Sequence, residues 1–346
     1  MESRVLPVEG WRKVVQFSDE SVGLNAVISV HDATLGPAVG GCRVFPYENF
    51  EAGLEDVKRL SRGMTFKNAL GGIPFGGGKA VIFADPKKDK TPELMRAFGR
   101  AVDSLEGLYY TAEDSGVTEH DIETVRSVTK YAAGVNSKGK GGNPSPFTAR
   151  GVWRGMQAAV RHKLGAESLK DVRVSILGVG AVGSELARLI HEEGGKLVVA
   201  DVNEAAVKAA VEKFGAEAAS PDDAIAADVD VFAPCALGGS INQGSVDRLK
   251  ASVVAGAANN QLATPEMDAA LAGRGVLYAP DYVINAAGVI SVGLEILDQW
   301  TEAGLTLRID DIGNLQAVMQ DRLHQLAVIF DHRRLPGMER LRLGPA

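Results

Sequence analysis

The sequence predicts an α/β protein with two domains separated by a cleft: an N-terminal α/β domain and a C-terminal, Rossmann-type doubly wound domain. Its 346 residues are enough for about two domains. The second half alternates short apolar segments with amphipathic ones, which is the strand–helix succession of a parallel, doubly wound sheet. Residues 134–146 are rich in glycine and proline and favour neither a helix nor a strand. We therefore expect one domain over residues 1–145 and a second over residues 146–320.

The composition is that of an ordinary globular protein, with 45% apolar and 23% charged residues. The net charge of −7 argues against a nucleic-acid or membrane partner, and no apolar run reaches membrane-spanning length. The N-terminal residues lack the apolar core of a signal peptide. Cys42 and Cys235 lie far apart in apolar segments, so we expect reduced thiols and a cytoplasmic protein. The histidines show no metal-ligand spacing, and no metal is expected.

Short apolar segments predict four strands in the first half, at residues 26–30, 37–45, 79–84 and 108–112. We expect the second of these at a sheet edge, where Gly40 and Gly41 mark a bulge or a close approach of another chain segment. Apolar residues at spacings of three and four predict helices at residues 50–64, after Thr91 and from Ile122. The first helix is expected to end just before Lys67.

The glycine-rich stretch at residues 66–79 has a lysine near each end, Lys67 and Lys79. Glycines this dense predict a loop that lets the backbone approach a bound molecule and directs both ammonium groups to one point. Two neighbouring cations lower the pKa of at least one of them, and a lysine near neutrality can act as a general base. The alternative is a surface turn with two solvated lysines.

The motif Gly178-Val179-Gly180-Ala181-Val182-Gly183 follows a predicted strand at residues 172–177 and opens a predicted helix. Such a turn brings the backbone and a helix N-terminus to a pyrophosphate. Asp201 ends the next strand, where a carboxylate accepts the ribose hydroxyls and repels a 2′-phosphate. The motif therefore predicts NAD binding; the alternative is a glycine turn of another α/β protein. Helices at residues 148–162 and 204–214 and strands at 229–232, 252–255 and 275–278 complete this half.

Polar residues follow several of these strands, where open α/β sheets bind ligands. Asn259 and Asn260 follow the strand at residues 252–255 and could contact a substrate or a nicotinamide ribose, or could only satisfy a turn. Asp114 follows the strand at residues 108–112 and could work opposite Lys79 or cap a helix near Ser115.

Seven segments resemble the family of glutamate, leucine, phenylalanine and valine dehydrogenases, most nearly its leucine/phenylalanine/valine branch. They are residues 35–43 (LGPAVGGCR), 63–67 (GMTFK), 76–79 (GGGK), 111–114 (TAED), 142–146 (GNPSP), 258–262 (ANNQL) and 279–285 (APDYVIN). The resemblance covers residues from about 20 to 297 in the order of the family. It implies a homo-oligomer whose first domain binds substrate and forms the oligomer. The final residues, about 320–346, would form a helix that packs back onto that domain.

The resemblance also implies reversible, NAD-dependent oxidative deamination of an apolar L-amino acid to a 2-oxo acid and ammonia. Lys67 would bind the substrate carboxylate. Lys79, its pKa lowered by Lys67 and burial, would activate water, and Asp114 would transfer protons to and from nitrogen. The other implied substrate contacts are Val39, Gly40, Gly41, Met64, Ala112, Asn260, Val289 and Val292. The implied cofactor contacts are Ser145, Thr148, residues 178–183, Asp201, Val202, Ala236, Leu237 and Asn259.

Two alternatives stay open, a glutamate dehydrogenase and a dinucleotide-binding sensor without turnover. A sensor is expected to have lost Lys67, Lys79 or Asp114, and all three are present. The chain departs from the family at Ala287, where a glycine is usual, and at Ser291, where leucine dehydrogenases commonly have asparagine. The resemblance ends near residue 300.

Overall fold

The computed structural model describes residues 1–135 and 144–313, which form two six-stranded sheets with helices packed against them. The first sheet has the strand order β1-β2-β3-β5-β4-β6. Its strands are β1 (Glu2–Val5), β2 (Lys13–Asp19), β3 (Leu24–Asp32), β4 (Ala38–Phe45), β5 (Gly76–Phe83) and β6 (Tyr109–Glu113). Strands β1, β2, β3 and β5 pair antiparallel, whereas β4 pairs parallel with both β5 and β6.

The four strands predicted in this half are confirmed, but the edge position expected for residues 37–45 is wrong. Strand β4 lies inside the sheet, where Gly40 pairs with Thr111 of β6. A Cβ atom on Gly40 would lie 1.9 Å from the carbonyl oxygen of Gly78. The close approach of another chain segment, which was the second expectation for these glycines, is therefore confirmed. Strands β1 and β2 were not predicted, and every residue of β1 is exposed.

The helices of this half are α1 (Phe50–Leu70), α2 (Pro92–Asp103) and α3 (Glu119–Arg126). Each begins at a side chain that accepts a backbone N–H bond, namely Asn49, Thr91 and Thr118. Helix α1 is longer than predicted, so that Lys67 lies in its last turn rather than beyond its end. The apolar spacing had predicted an end at Met64. The last turns of the helix line the cleft instead of packing in the core, so they lack the apolar pattern on which that prediction depended.

The glycines at residues 76–78 form the start of strand β5 rather than the loop that their density predicted. They pair with β3 on one side and β4 on the other. A Cβ atom on Gly77 would lie 2.1 Å from the backbone nitrogen of Thr65, so helix α1 packs directly on the strand backbone. The entropy that glycine loses in a strand is offset here by helix–sheet packing that no larger residue permits.

The second sheet is entirely parallel and has the strand order β12-β11-β10-β7-β8-β9. Its strands are β7 (Arg173–Leu177), β8 (Lys196–Ala200), β9 (Glu217–Ala218), β10 (Val231–Pro234), β11 (Val253–Val254) and β12 (Leu277–Tyr278). After β7 the chain adds β8 and β9 on one side of β7, and it then crosses over to add β10, β11 and β12 on the other side. The order therefore reverses between β7 and β10, which confirms the doubly wound fold and locates its switch point.

Nine helices of the described residues accompany this sheet and connect it to the first. They are α4 (Ser145–Leu164), α5 (Ala181–Glu192), α6 (Glu204–Phe214), α7 (Pro221–Ala226), α8 (Gln243–Arg248), α9 (Glu266–Gly273), α10 (Asp281–Ile284), α11 (Ala287–Ile296) and α12 (Glu302–Asp310). The helices predicted at residues 148–162 and 204–214 are confirmed as α4 and α6. In the described part of the chain, no helix is long and apolar enough to cross a membrane.

Helix α11 contacts both halves of the molecule. Ile290 and Leu294 belong to the core of the second sheet, whereas Val289 and Val292 pack against Val39 of β4 and its neighbours. The cleft between the two sheets therefore has one wall formed by α11. The helix predicted near residues 320–346, and most of the segment predicted as the interdomain connection, lie outside the described residues.

Candidate active site

A cleft of about 750 Å³ lies between the two sheets and brings together most of the residues proposed from the sequence. From the first half these are Val39, Gly40, Gly41, Met64, Lys67, Lys79, Ala112 and Asp114. From the second half they are Ser145, Thr148, Ala181, Val182, Asn259, Asn260, Val289 and Val292. The remaining predicted cofactor residues follow β7, β8 and β10, outside the lining of this cleft.

Lys79 and Asp114 form a buried ion pair in the first half of the site. Lys79 lies on β5 and is 6% exposed, and its Nζ is 2.8 Å from Oδ2 of Asp114, which directly follows β6. Asp114 does not cap α3, because the capping side chain is that of Thr118. Burial raises the pKa of Asp114, but the charges of Lys79 and Arg43 outweigh burial and hold it at about 2. Asp114 is therefore an anion at neutral pH.

Arg43 lies in the matching segment at residues 35–43, but no role was predicted for it. Its Nε donates to the same oxygen of Asp114 at 3.1 Å. The two residues are 71 positions apart, and their contact arises because β4 and β6 are neighbours in the sheet.

Lys67 reaches across the cleft and donates a hydrogen bond of 2.9 Å from Nζ to Oδ1 of Asn259. Its side chain is half-buried, and burial lowers its pKa to about 8, with the charge of Lys79 adding to the effect and Asp281 opposing it. Burial, rather than the neighbouring cation that the sequence suggested, is therefore the main cause of the lowered pKa of Lys67. A cation at this position can bind a carboxylate in the cleft.

The two asparagines play different structural parts. Asn259 accepts a second hydrogen bond, 3.0 Å from Nδ2 of Asn285, so its amide joins the two sides of the cleft. Asn260 has a left-handed backbone, φ 51°, and its N–H donates to Oδ2 of Asp281 at 2.8 Å. Asn260 thus lies in a turn, and its contact with a substrate stays a prediction. Asp281 and Asn285, which also line the cleft, were not predicted as site residues, although both belong to the matching segment at residues 279–285.

One end of the cleft is apolar. Its wall includes the five residues expected to form the side-chain pocket, Val39, Met64, Ala112, Val289 and Val292. Among the described residues that line the cleft, Lys67 and Lys79 are the only lysines, and there is no arginine. Glu295, which was not predicted, also lines the cleft and accepts the backbone N–H of Gly134 at 2.8 Å. The pocket thus presents apolar groups and a carboxylate, with no cation beyond the two lysines.

The glycine turn after β7 has the geometry that a dinucleotide needs. Gly178 has φ 105°, and its Cβ atom would lie 2.6 Å from the backbone nitrogen of Ala236. A Cβ on Gly183 would lie 1.9 Å from the carbonyl oxygen of Gly178, so helix α5 packs closely on the turn. Gly180, in contrast, faces open space and begins α5 without a side-chain cap. The first N–H groups of α5 can therefore bind phosphate oxygens.

The carboxylate of Asp201 is held beside this turn. Its two oxygens accept the backbone N–H groups of Val179 and Asn203, each at 2.8 Å. Val202 and Leu237 follow β8 and β10, on either side of β7, and are 92% and 84% exposed. Exposed apolar side chains flanking a glycine turn are suited to the faces of a flat heterocycle. The residues present therefore fit a dinucleotide.

Known protein families match both halves of the chain. The Glu/Leu/Phe/Val dehydrogenase dimerisation domain matches residues 12–133, and the Glutamate/Leucine/Phenylalanine/Valine dehydrogenase domain matches residues 199–327. The chain belongs to the Glu/Leu/Phe/Val dehydrogenase family. The predicted family, and with it an amino-acid dehydrogenase with a nicotinamide cofactor, is confirmed.

Individual members of the Glu/Leu/Phe/Val dehydrogenase family are similar over most of the chain. Leucine dehydrogenase of Bacillus subtilis (strain 168) is 48% identical over 311 residues, which are 90% of this chain and 85% of the relative. Phenylalanine dehydrogenase of Bacillus thermotolerans is 45% identical over 290 residues, 82% of this chain and 76% of the relative. The crystal structure of L-tryptophan dehydrogenase from Nostoc punctiforme has a TM-score of 0.77 at 40% identity and covers 92% of this chain and 91% of that chain. The resemblance to the leucine/phenylalanine/valine branch is confirmed.

Proposed function

We propose that this protein is an NAD-dependent dehydrogenase that converts an apolar L-amino acid reversibly to the 2-oxo acid and ammonia. The observation that carries the proposal is the meeting, in one cleft, of Lys67, Lys79 and Asp114 with an apolar pocket. The same cleft includes the first residues of α5, which begin at the dinucleotide turn. Substrate and nicotinamide can therefore come into contact there.

Lys67 would bind the substrate carboxylate through a charge-assisted hydrogen bond. Its Nζ already donates to Asn259, which follows the strands of the other half. A carboxylate bound at Lys67 would thus lie beside Asn259 and close to the backbone of Asn260. We propose that these three residues fix the α-carbon relative to Lys79.

The cofactor would supply the acceptor for hydride from the α-carbon of the amino acid, which leaves an imine. Lys79 would then remove a proton from the water that attacks the imine carbon, and ammonia would leave once its nitrogen is protonated. Asp114 is fixed as an anion beside Lys79, so it would hold the ammonium form of Lys79 after each proton transfer. The proton transfer between Asp114 and the substrate nitrogen stays a prediction.

The pocket supports apolar side chains and disfavours glutamate. A carboxylate buried among Val39, Ala112, Val289 and Val292 would need a cation, and the two lysines of the cleft already have other roles. One methylene more or less in such a pocket changes transition-state binding by only about 1–3 kcal/mol, so several apolar amino acids should react.

Asp201 supports NAD as the cofactor. Its carboxylate lies beside the glycine turn, where it would accept the ribose hydroxyls and repel a 2′-phosphate. The proposed cofactor contacts are the turn itself, Ser145, Thr148, Asp201, Val202, Ala236, Leu237 and Asn259.

We further propose a homo-oligomer, with residues 1–145 as the substrate and oligomerisation domain and residues 146–320 as the NAD-binding domain. The match of residues 12–133 to a dimerisation domain supports this assembly. Cys42 and Cys235 are both unpaired, which supports a cytoplasmic location.

The experiment is a screen of NADH absorbance with each amino acid in turn, run with NAD and with NADP. We expect activity with several of leucine, valine, isoleucine, phenylalanine and tryptophan, and a far lower kcat/KM for glutamate under the same conditions. A higher kcat/KM for glutamate than for leucine and phenylalanine would identify a glutamate dehydrogenase. NAD binding without turnover of any amino acid would identify a sensor.

A further inference from the structure

A line of alternating charges connects the catalytic pair to Arg43 and Asp56, which do not line the cleft. Oδ2 of Asp114 lies 2.8 Å from Nζ of Lys79 and 3.1 Å from Nε of Arg43. A second nitrogen of the guanidinium, Nη1, lies 2.8 Å from Oδ2 of Asp56. The hydroxyl of Tyr47 donates to the same Asp56 oxygen at 2.5 Å. The chain Lys79–Asp114–Arg43–Asp56 thus contains two cations and two anions.

Each member of this line comes from a different element. Lys79 lies on β5, Arg43 on β4, Asp56 on α1, and Asp114 follows β6. The side chains of Arg43, Asp56 and Asp114 are 20%, 23% and 13% exposed. Charges this far from water are tolerated when they are paired and hydrogen-bonded, and removing one partner leaves the other uncompensated. Arg43 does not line the cleft, so it acts on the reaction only through Asp114.

We propose that Arg43 is a positioning residue for the dehydrogenase reaction. It holds the carboxylate of Asp114 in place and offsets part of the negative charge next to Lys79, with Asp56 anchoring the guanidinium. The proposal rests on the proposed function only for the step that Lys79 performs.

The charge balance at Lys79 depends on Arg43 and Asp56 in opposite directions. Because Lys79 and Arg43 contact the same oxygen, their nitrogens lie within about 6 Å of each other. Without the guanidinium, the negative charge of Asp114 is balanced by Lys79 alone. Lys79 is then expected to keep its proton to a higher pH. Loss of the Asp56 carboxylate makes the surroundings of Lys79 more positive, and the proton is released at lower pH.

Other charged or titratable groups near this line stay the same in both variants. Lys67 is influenced by the charges of both Lys79 and Asp281, and Lys90 and Asp121 form their own ion pair at 2.5 Å. Burial raises the pKa of Cys42 and of Tyr109, so both are neutral. The groups near Lys79 and Asp114 include Arg43, Asp56, Tyr47, Lys67, Asp281, Lys90, Asp121, Cys42 and Tyr109, together with Glu113, Tyr282 and Glu295 of the cleft lining.

The experiment compares Arg43→Gln, Arg43→Lys and Asp56→Asn with the wild type, with Arg59→Gln as the matched control. Arg59 is an exposed arginine of α1 outside the cleft lining. In Arg43→Gln we expect kcat to fall about tenfold or more, with KM for the amino acid and NAD within about threefold. Arg43→Lys should recover part of the loss, because an ammonium can still pair with Asp114. Arg59→Gln should equal the wild type.

The decisive readout is the pH midpoint of kcat, which reports the enzyme–substrate complex. It should move up by about one pH unit in Arg43→Gln and move down in Asp56→Asn. The same shifts are measured without turnover from the Nζ resonance of Lys79 in protein labelled with ¹⁵N-lysine, assigned by its loss in Lys79→Arg. If the wild type shows no turnover, the proposed function is wrong. The Nζ resonance of Lys79 would still test whether Arg43 affects the charge of Lys79.

Equal midpoints in wild type, Arg43→Gln and Asp56→Asn would overturn the proposal. So would shifts of both variants in the same direction, or a change confined to KM. If Arg43→Gln does not fold, Asp56→Asn alone decides, and an unchanged midpoint there overturns it.

Discussion

The pKa of Lys67 predicts how binding of the substrate carboxylate depends on pH. Burial lowers this pKa to about 8, whereas a solvated lysine titrates at 10.5. Below pH 8 the ammonium is present and can pair with a carboxylate. Above pH 8 the neutral amine keeps only a weaker hydrogen bond. Affinity for a carboxylate should therefore be constant up to about pH 8 and then decrease.

The magnitude follows from the fraction of Lys67 that is charged. At pH 9, one unit above the pKa, about nine-tenths of Lys67 is neutral, and the Kd should be about tenfold higher than at pH 7. The charged hydrogen bond contributes about 1.5–3 kcal/mol, so the increase should level off between about tenfold and a hundredfold.

The assay is calorimetric titration of a 2-oxo acid into the enzyme–NAD complex between pH 6.5 and 10. Such a ligand has no amine that titrates in this range, and it cannot be reduced by NAD. The control is Lys67→Arg, whose guanidinium stays charged and whose Kd should not depend on pH in this range.

Two results would refute the reasoning. A wild-type Kd that stays constant to pH 10 would show that Lys67 keeps its proton or does not bind the carboxylate. A pH dependence that persists unchanged in Lys67→Arg would assign the titration to another group.

Two further substitutions test the cofactor site and the packing around the catalytic pair. Asp201→Ala should narrow the difference in kcat/KM between NAD and NADP, because the carboxylate that repels a 2′-phosphate is lost; equal wild-type use of both cofactors would contradict this. Gly41→Ala places a Cβ 2.3 Å from the carbonyl oxygen of Glu113 and 2.9 Å from Cβ of Asp114. It should lower the free energy of unfolding by about 1–3 kcal/mol and reduce kcat, measured by thermal melting and NADH formation. The control Gly273→Ala, whose Cβ meets nothing within 4 Å, should not lower the melting temperature, and equal melting of Gly41→Ala and wild type would refute the packing argument.

Five strands of the second sheet could be predicted because they are mostly buried and read as short apolar runs, whereas β9 was missed because both of its residues are exposed. Gly178, Gly180 and Gly183 likewise occupy the positions that the motif assigns to them. The glycines of β5 were misread, because nothing local shows that Thr65 of α1 packs against Gly77. Strand β1 was missed because its four residues are exposed, and pairing with β2 rather than burial forms it.

The site could be predicted only as separate residues. Lys67, Lys79 and Asp114 were identified by type and by resemblance, yet the contact between Lys67 and Asn259 joins positions 192 residues apart. Arg43 gave no local signal for a contact with Asp114, because that contact depends on the order of strands in the sheet. The pairing of charged and polar side chains that are distant in the sequence is therefore the part of the site that could not be predicted from sequence patterns.

The central claim is that Lys79 performs the proton transfers of an amino-acid dehydrogenase in this cleft, and Lys79→Ala tests it most directly. The measurement is kcat for NADH formation with the best apolar amino acid, together with the Kd for NAD. The account predicts a kcat below a tenth of the wild-type value, with a Kd for NAD within about threefold, since general base catalysis contributes about 10²–10⁴-fold and the dinucleotide turn lies on the other sheet. A variant that keeps a tenth or more of the wild-type kcat, without any added amine, would contradict the role assigned to Lys79.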